Sequence, residues 1–408
     1  MRKLSLALVG ALSTLALPAF AEGLACPPVG VWLDPRTGQT LTAIEAIDRL
    51  SEADVVVLGE SHGVRDVQLW EATTAAAVAD RRGGAQYAYE MLPRSSQKAL
   101  DAWASGESDL PTFLDDAGWA SVWGFPAEAY DPILRLPRLR GAPAIALNVD
   151  PDTRRRLGGD GWEATPEAER EGVTRPADAL PAYRARLQGV VDEKARLAAA
   201  AREKKDDDGG APHAAAPPVM ALDRMVAGQL VWDRAFADAI KSGLDREPEL
   251  PVIAFMGRFH VEYAYGVVHQ LADMGVANVL TAVPVFQDEA CAIEADVDGR
   301  PLADLVYGIP AFQQEPGPPA RPRIGVFIED AGDDGGAKVS RVVDGSPAEA
   351  AGFAADDIVV EAAGRPVTSA ADLGAEVRKH SWGAWLPFKV KRGDQTLDLV
   401  AKLPRAPS

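Results

Sequence analysis

The chain has 408 residues, 47% of them hydrophobic and 25% charged, enough to bury one sizeable core or two, and this excludes wholesale disorder. Its 42 Lys and Arg stand against 60 Asp and Glu, a formal charge of -18. No basic face stands out, so nucleic-acid binding, which needs phosphate neutralisation, is excluded. Beyond the N-terminus no apolar run reaches the roughly 18 residues of a membrane span.

Residues 1–21 combine a basic start (Arg2, Lys3), an apolar stretch from Leu4 to Leu17 and a small-x-small end at Ala19-Phe20-Ala21. That order is the pattern of a secretory signal peptide, so the mature chain is expected outside the cytoplasm, in the periplasm or at the cell envelope. The two cysteines, Cys26 and Cys291, both survive cleavage. In an oxidising compartment they would pair and tie the N-terminus to the end of the first domain. The alternative is a lipid anchor on Cys26, since Gly23-Leu24-Ala25-Cys26 loosely resembles a lipobox.

Four short apolar runs are expected as buried parallel strands: 55–58, 86–89, 143–147 and 251–256, with a fifth at 277–283. Between them the segments 64–82, 94–104, 127–139, 180–204, 219–241 and 265–274 repeat apolar residues at three and four and read as helices. Strands alternating with helices predict an α/β domain with a mostly parallel sheet over residues 22–310. Residues 203–218, charged and then rich in Ala and Pro, read as a flexible insertion. The Pro/Gly-rich stretch 311–321 reads as a linker.

Each of the four runs ends in polar groups that are costly to bury without purpose. Val55 to Leu58 leads into Gly59-Glu60-Ser61-His62, Gln86 to Tyr89 into Glu90, Ile145 to Leu147 into Asn148, and Val252 to Met256 into Gly257-Arg258-Phe259-His260. Open parallel sheets bind ligands outside the carboxyl ends of their strands, so these residues are expected to share one crevice. The two Gly-x-x-His tetrads suggest a glycine that turns the chain sharply and a histidine pointing back over the sheet edge. Two imidazoles with two carboxylates suit a divalent transition metal held by His62, His260, Glu60 and Glu90, or an acid/base pair. Arg258 is either a carboxylate clamp or an ion-pair partner. Tyr87, Tyr89, Tyr130, Tyr263 and Tyr265 offer phenol ligands, and Trp119, Trp123, Phe125 and Tyr130 offer walls for a flat apolar pocket.

Taken in order, Gly59-Glu60-Ser61-His62, Glu90-Met91-Leu92, Gln97, Trp119, Asn148, Gln229-Leu230-Val231-Trp232-Asp233 and Gly257-Arg258-Phe259-His260-Val261 with Gly266-Val267 resemble the ChaN family of haem-binding uptake proteins. That family shares a superfamily with the Tiki metalloproteases and the erythromycin esterases. The resemblance implies an exported α/β protein of haem or iron uptake, with haem as cofactor and Glu60, His62, Glu90, Arg258 and His260 as its binding residues. The Tiki side of the superfamily implies the alternative, a divalent-metal-dependent hydrolase in which Glu60 and Glu90 are catalytic. Where family members continue the first motif with Asp and further histidines, this chain has Gly63 and then Val67-Gln68.

From Arg321 the pattern changes to short strands and turns. Ile324-Gly325-Val326-Phe327, Gly345-Ser346-Pro347-Ala348-Glu349-Ala350-Ala351-Gly352-Phe353, Asp357-Ile358-Val359 and the helix at 370–379 closely resemble a bacterial PDZ domain, over 322–405. Such a domain adds an extended peptide to its sheet edge and holds the C-terminal carboxylate on backbone amides. The resemblance assigns Ile324, Gly325, Val326 and Phe327 to the carboxylate loop and Leu373 and Val377 to the side-chain pocket. The implied partner is the C-terminal peptide of another protein.

Overall fold

Val55, Val56, Val57 and Leu58 are all fully buried, as the interior of a parallel sheet requires when helices cover both its faces. The computed structural model describes residues 25–159, 161–207, 222–287, 291, 293–311, 323–332 and 335–404, apart from the side chains of 200–207 and 378. The expected signal peptide, the linker from residue 312 on and most of the expected insertion lie outside them. The chain divides at 312/313 into two compact units.

The first unit is built on strands β1 (Trp32–Asp34), β2 (Gln39–Leu41), β3 (Val55–Glu60), β4 (Gln86–Pro93), β5 (Ala144–Asn148), β6 (Val252–Gly257), β7 (Val279–Phe286) and β8 (Leu305–Ile309). Their order in the sheet is β2-β1-β8-β7-β3-β6-β4-β5. All pairs from β8 to β5 are parallel, and only β1 joins antiparallel to β2 and β8. Side chains alternate across the sheet with period two. Val56, Leu58, Tyr87, Tyr89, Ile253 and Phe255 enter one core, while Val55, Val57, Ala88, Val252, Ala254 and Met256 enter the other. Each fully buried Val, Leu, Ile or Phe side chain contributes roughly 1.5–3 kcal/mol.

Helices Arg65–Arg82, Gln97–Ser105, Pro181–Asp207, Leu222–Arg246 and Val267–Asp273 take the expected places. The first stops at Gly83, whose φ of 75° is open to glycine at no steric cost. The expected helix 127–139 is broken into Ala127–Leu134 and Leu136–Arg140, because the ring of Pro137 cannot follow a continuous helical turn. Helix Pro181–Asp207 runs into the segment expected as a flexible insertion, so 203–207 are helical. Cys26 and Cys291 form a disulfide with Cα atoms 6.4 Å apart. The Cys26 sulfur is thereby taken and has no valence left for a thioether. Among the described residues no helix is long and apolar enough to cross a membrane.

The second unit is an antiparallel sheet of β9 (Val326–Asp330), β10 (Ala337–Val342), β11 (Ile358–Ala362), β12 (Arg365–Pro366), β13 (Trp385–Arg392) and β14 (Gln395–Lys402) in the order β14-β13-β11-β10-β9, with β12 on β11. Helices Pro347–Ala351 and Ala370–Arg378 are capped by Ser346 and Ser369, whose hydroxyls accept from the amides of Glu349 and Asp372. Ile324, Val339, Val359, Leu373, Val377 and Phe388 form its core.

Candidate functional site

Glu60 ends β3, Gly257 ends the adjoining β6 directly beside it, and Glu90 lies in β4 on the far side of β6. The sheet therefore delivers these groups to one place with no contribution from loop flexibility. His62 follows β3 by two residues, and His260 ends the short turn Arg258–His260 that follows β6. A cavity of about 250 Å3 lies over these strand ends, lined by His62, Glu90, Trp123, Phe125, Asn148, Arg154 and Trp232 among others. A larger one of about 530 Å3, at Asp150, Arg156 and Glu171, is edged by groups already paired with one another, Arg156 with Glu169 and Asp150 with Ser95, and contains none of the expected site residues.

Two histidine–carboxylate pairs face each other across Glu90. His62 Nδ1 lies 2.6 Å from Glu60 Oε1, and the other oxygen of Glu60 accepts from Gln68. His260 Nδ1 lies 2.5 Å from Asp233 Oδ1, and the hydroxyl of Tyr183 donates to Asp233 Oδ2 at 2.8 Å. Glu90 accepts the amide of Gly257 on Oε2 at 2.5 Å. Its Oε1 makes no hydrogen bond and stands 3.7 Å from His260 Nε2. The side chain of His62 is 34% exposed against 5% for His260, so His62 is the imidazole a ligand can reach.

The electrostatics follow from burial. Desolvation raises the Glu60 carboxyl above its ordinary range, opposed by His62 and helped by Glu90. Burial alone would lower both histidines, yet both are raised, His62 by its hydrogen bond to Glu60 with the charge of Glu90, and His260 by Asp233. Glu71, fully buried with neither carboxyl oxygen hydrogen-bonded, is pushed well above the carboxylate range by desolvation and by Glu60 and Glu90.

The two glycines of the tetrads do not serve as turn formers. Neither has a positive φ. They are required by close approach, since a Cβ on Gly257 would sit 2.8 Å from His62 Cε1 and one on Gly59 would sit 2.8 Å from Val283 Cγ1. Gly63 does need its freedom, with φ at 72° and Phe125 packed against it.

Of the expected residues, Glu60, His62, Glu90 and His260 converge. Asn148 joins them at the cavity edge and donates to the Glu90 carbonyl at 3.0 Å. Arg258 does not: its guanidinium is committed to Glu262 and to the carbonyl of Pro284, away from the cavity. The cation that does line the cavity is Arg154, its Cζ 4.2 Å over the ring of Trp232, and burial lowers its pKa against the pull of Glu90. Among the tyrosines, none lines the cavity. Tyr130 comes nearest, accepting from Gly63 and lying 3.4 Å from Glu60, beneath the site. Trp123 and Phe125 form the wall and pack edgewise and tilted on His62, whereas Trp119 lies in the core behind them. The expected metal set is also not upheld, for among the described residues no three His, Cys, Asp or Glu side chains are disposed to hold a metal ion. The reason is pairing: both oxygens of Glu60, one of Glu90 and the Nδ1 of each histidine are already engaged.

Arg154, Gln68 and Glu71 carry no sequence signal of their own. Gln229 and Asp233 do: they stand four apart on helix Leu222–Arg246, on the face that meets His260. In the second unit, Ile324 is buried and Leu373 and Val377 wall the core beside β9. Phe327 alternates with Val326 and Ile328, so its side chain emerges, half exposed, on the opposite face of the sheet.

A family model described as haem-binding uptake, Tiki superfamily, ChaN matches residues 46–271, and a PDZ domain model matches 322–403. No curated protein matches the chain. Among solved structures, cofacial haem binding to ChaN of Campylobacter jejuni is 17% identical with a TM-score of 0.49, covering 68% of this chain and 95% of that one. The PDZ domain of HtrA3 with a phage-derived ligand (FGRWV) is 24% identical with a TM-score of 0.19, over 20% of this chain and 84% of that one. A serine endoprotease from Yersinia pestis is 26% identical with a TM-score of 0.19, over 21% of this chain and 29% of that one. With more than half of its length matched, the chain belongs to the ChaN family of haem-binding uptake proteins in the Tiki superfamily, and it carries a PDZ domain after the family domain.

Proposed function

We propose that the mature protein works outside the cytoplasm, holds haem at the strand-end cavity, where His62 would donate to the iron, and docks a partner protein through the PDZ domain. The carrying observation is the tie between His62 Nδ1 and Glu60. A carboxylate on one ring nitrogen fixes the tautomer and leaves Nε2 as the open donor, as with histidines that ligate metals elsewhere. The rest of the cavity fits the same group. Trp123, Phe125 and Trp232 offer flat apolar contact, the indole N–H of Trp232 lacks an acceptor, and Arg154 supplies a cation for a propionate. Bound haem would bring the iron chemistry. The protein's residues hold the imidazole, set its basicity through Glu60 and shield the pair from water.

At about 250 Å3 the cavity is smaller than the roughly 300–1,000 Å3 that engulfs a drug-sized ligand, so it would enclose only part of a bound haem. Export is supported by the N-terminal pattern and by the Cys26–Cys291 disulfide, which persists in oxidising compartments. Peptide capture is supported by β9, an edge strand lying beside helix Ala370–Arg378. The test is a haem titration followed at the Soret band for the wild type, His62→Ala and His260→Ala. Loss in His62→Ala with weaker but measurable binding in His260→Ala supports the assignment. Equal binding in His62→Ala and the wild type removes it.

A further inference from the structure

Near the peptide edge of the second unit, Arg341 packs on an aromatic ring rather than on a carboxylate. Arg341 on β10 stands directly across from Phe327 on β9, and its Cζ lies 4.0 Å over the phenyl ring. Several basic groups of the unit are answered by carboxylates, Lys338 by Asp356, Lys389 by Glu361 and Arg392 by Asp357. Among the described residues Arg341 has no such partner. Glu329, the next outward residue on β9, faces Lys338 instead.

Strand geometry says what meets this cation. A peptide whose C-terminal carboxylate reaches the loop at Ile324-Gly325 extends antiparallel along the free edge of β9, with its last side chain on the inner face shared by Val326 and Ile328. Successive residues of a strand point to opposite faces. The penultimate residue therefore emerges on the outer face beside Phe327 at the spacing of cross-strand neighbours, and the guanidinium of Arg341 reaches towards it from the next strand across that ring. One face of the guanidinium is covered by the ring, and its N–H edge is left for an acceptor.

We infer that the PDZ domain selects C-terminal peptides with an acidic penultimate residue, read by Arg341 as it lies on Phe327. This rests on the reading of the domain as a peptide binder. An exposed pair of this kind is worth about two- to fivefold in affinity and is screened by salt.

The experiment uses the full mature chain and dye-labelled decapeptides with a free C-terminal valine, differing only in Asp, Ala or Lys at the penultimate position, followed by fluorescence anisotropy at low and high salt. The wild type should rank Asp over Ala over Lys, each step about two- to fivefold. Arg341→Gln should flatten the series, Arg341→Glu should reverse it, and high salt should compress it. An unchanged ranking in Arg341→Glu, or equal binding of the Asp and Lys peptides by the wild type, overturns the inference while the Ala peptide still reports a working peptide site. Failure of all three peptides to bind the wild type overturns peptide capture itself, and the inference with it.

Discussion

Replacing Gly257 by alanine tests whether the site's geometry is set by close packing of His62 against β6. Gly257 has φ -54°, which any residue adopts, so the backbone is unstrained and the whole effect comes from one methyl group. That Cβ would lie 2.8 Å from His62 Cε1, 3.0 Å from its Nε2 and 3.5 Å from Glu90 Oε2. The atoms in the way are the end of a half-exposed side chain, so His62 gives rather than the strand. Overpacking of this kind costs about 1–3 kcal/mol. If the ring swings off Glu60, a charge-assisted hydrogen bond worth about 1.5–3 kcal/mol goes too. At roughly 2–4 °C per kcal/mol for a domain of about this size, the thermal midpoint should fall by several degrees. Haem affinity should fall about tenfold or more, because each 1.4 kcal/mol is a factor of ten. The assay pairs a Soret titration with a thermal melt. Gly257→Ala that binds haem like the wild type would refute the packing of His62 on β6. Gly59→Ala makes the contrast: its Cβ meets Val283 at 2.8 Å and the Arg258 backbone at 3.2 Å, so it should lower the melting midpoint more than it lowers haem affinity.

Four further outcomes are expected. Cys26→Ser or Cys291→Ser opens a loop of 265 residues and should cost about 2–5 kcal/mol, read as a lower midpoint that reductant reproduces in the wild type and leaves unaltered in the variant. Arg154→Gln should weaken haem binding severalfold yet leave the binding of a porphyrin dimethyl ester unaltered, since only the free propionate needs the cation. Gly325 has φ 86° and a Cβ there would fall 2.2 Å from Ser346 Cβ, so Gly325→Ala should abolish peptide binding while the Soret titration stays at the wild-type value. Burial would raise Asp34, but its hydrogen bonds with Arg49 and the Arg36 amide outweigh this and hold the carboxyl below its ordinary value. Its stabilisation is thus present above that value and lost as pH falls through it, so the midpoint of Asp34→Asn should decline less steeply than the wild type's between roughly pH 5 and 2.

The central strands were legible because β3, β5 and β6 are apolar runs that end abruptly in Glu60, Asn148 and Gly257, whereas β4 runs on past Glu90 through Met91 and Leu92 to Pro93. The edge strands were not. β1 and β2 have three residues each, and β8 exists through pairings such as Trp32 with Tyr307, 275 positions apart in the chain, which local pattern does not encode. Within the site, Glu60 and the two histidines announced themselves by sitting at strand ends. Arg154 did not, because it lies among consecutive arginines on a charged helix and only the fold lays it on Trp232. Arg258 misled for the opposite reason: it neighbours His260 in sequence, but the tight turn at Arg258–His260 sends the two side chains to different partners.

The most direct test of haem ligation by His62 is chemical rescue. The Soret spectrum of haem-loaded His62→Ala would be recorded with and without added imidazole, beside the wild type. Ligation by His62 predicts a lost or shifted band in the variant and a return towards the wild-type spectrum as imidazole fills the space left by the side chain. A variant whose spectrum equals the wild type's without imidazole would contradict it.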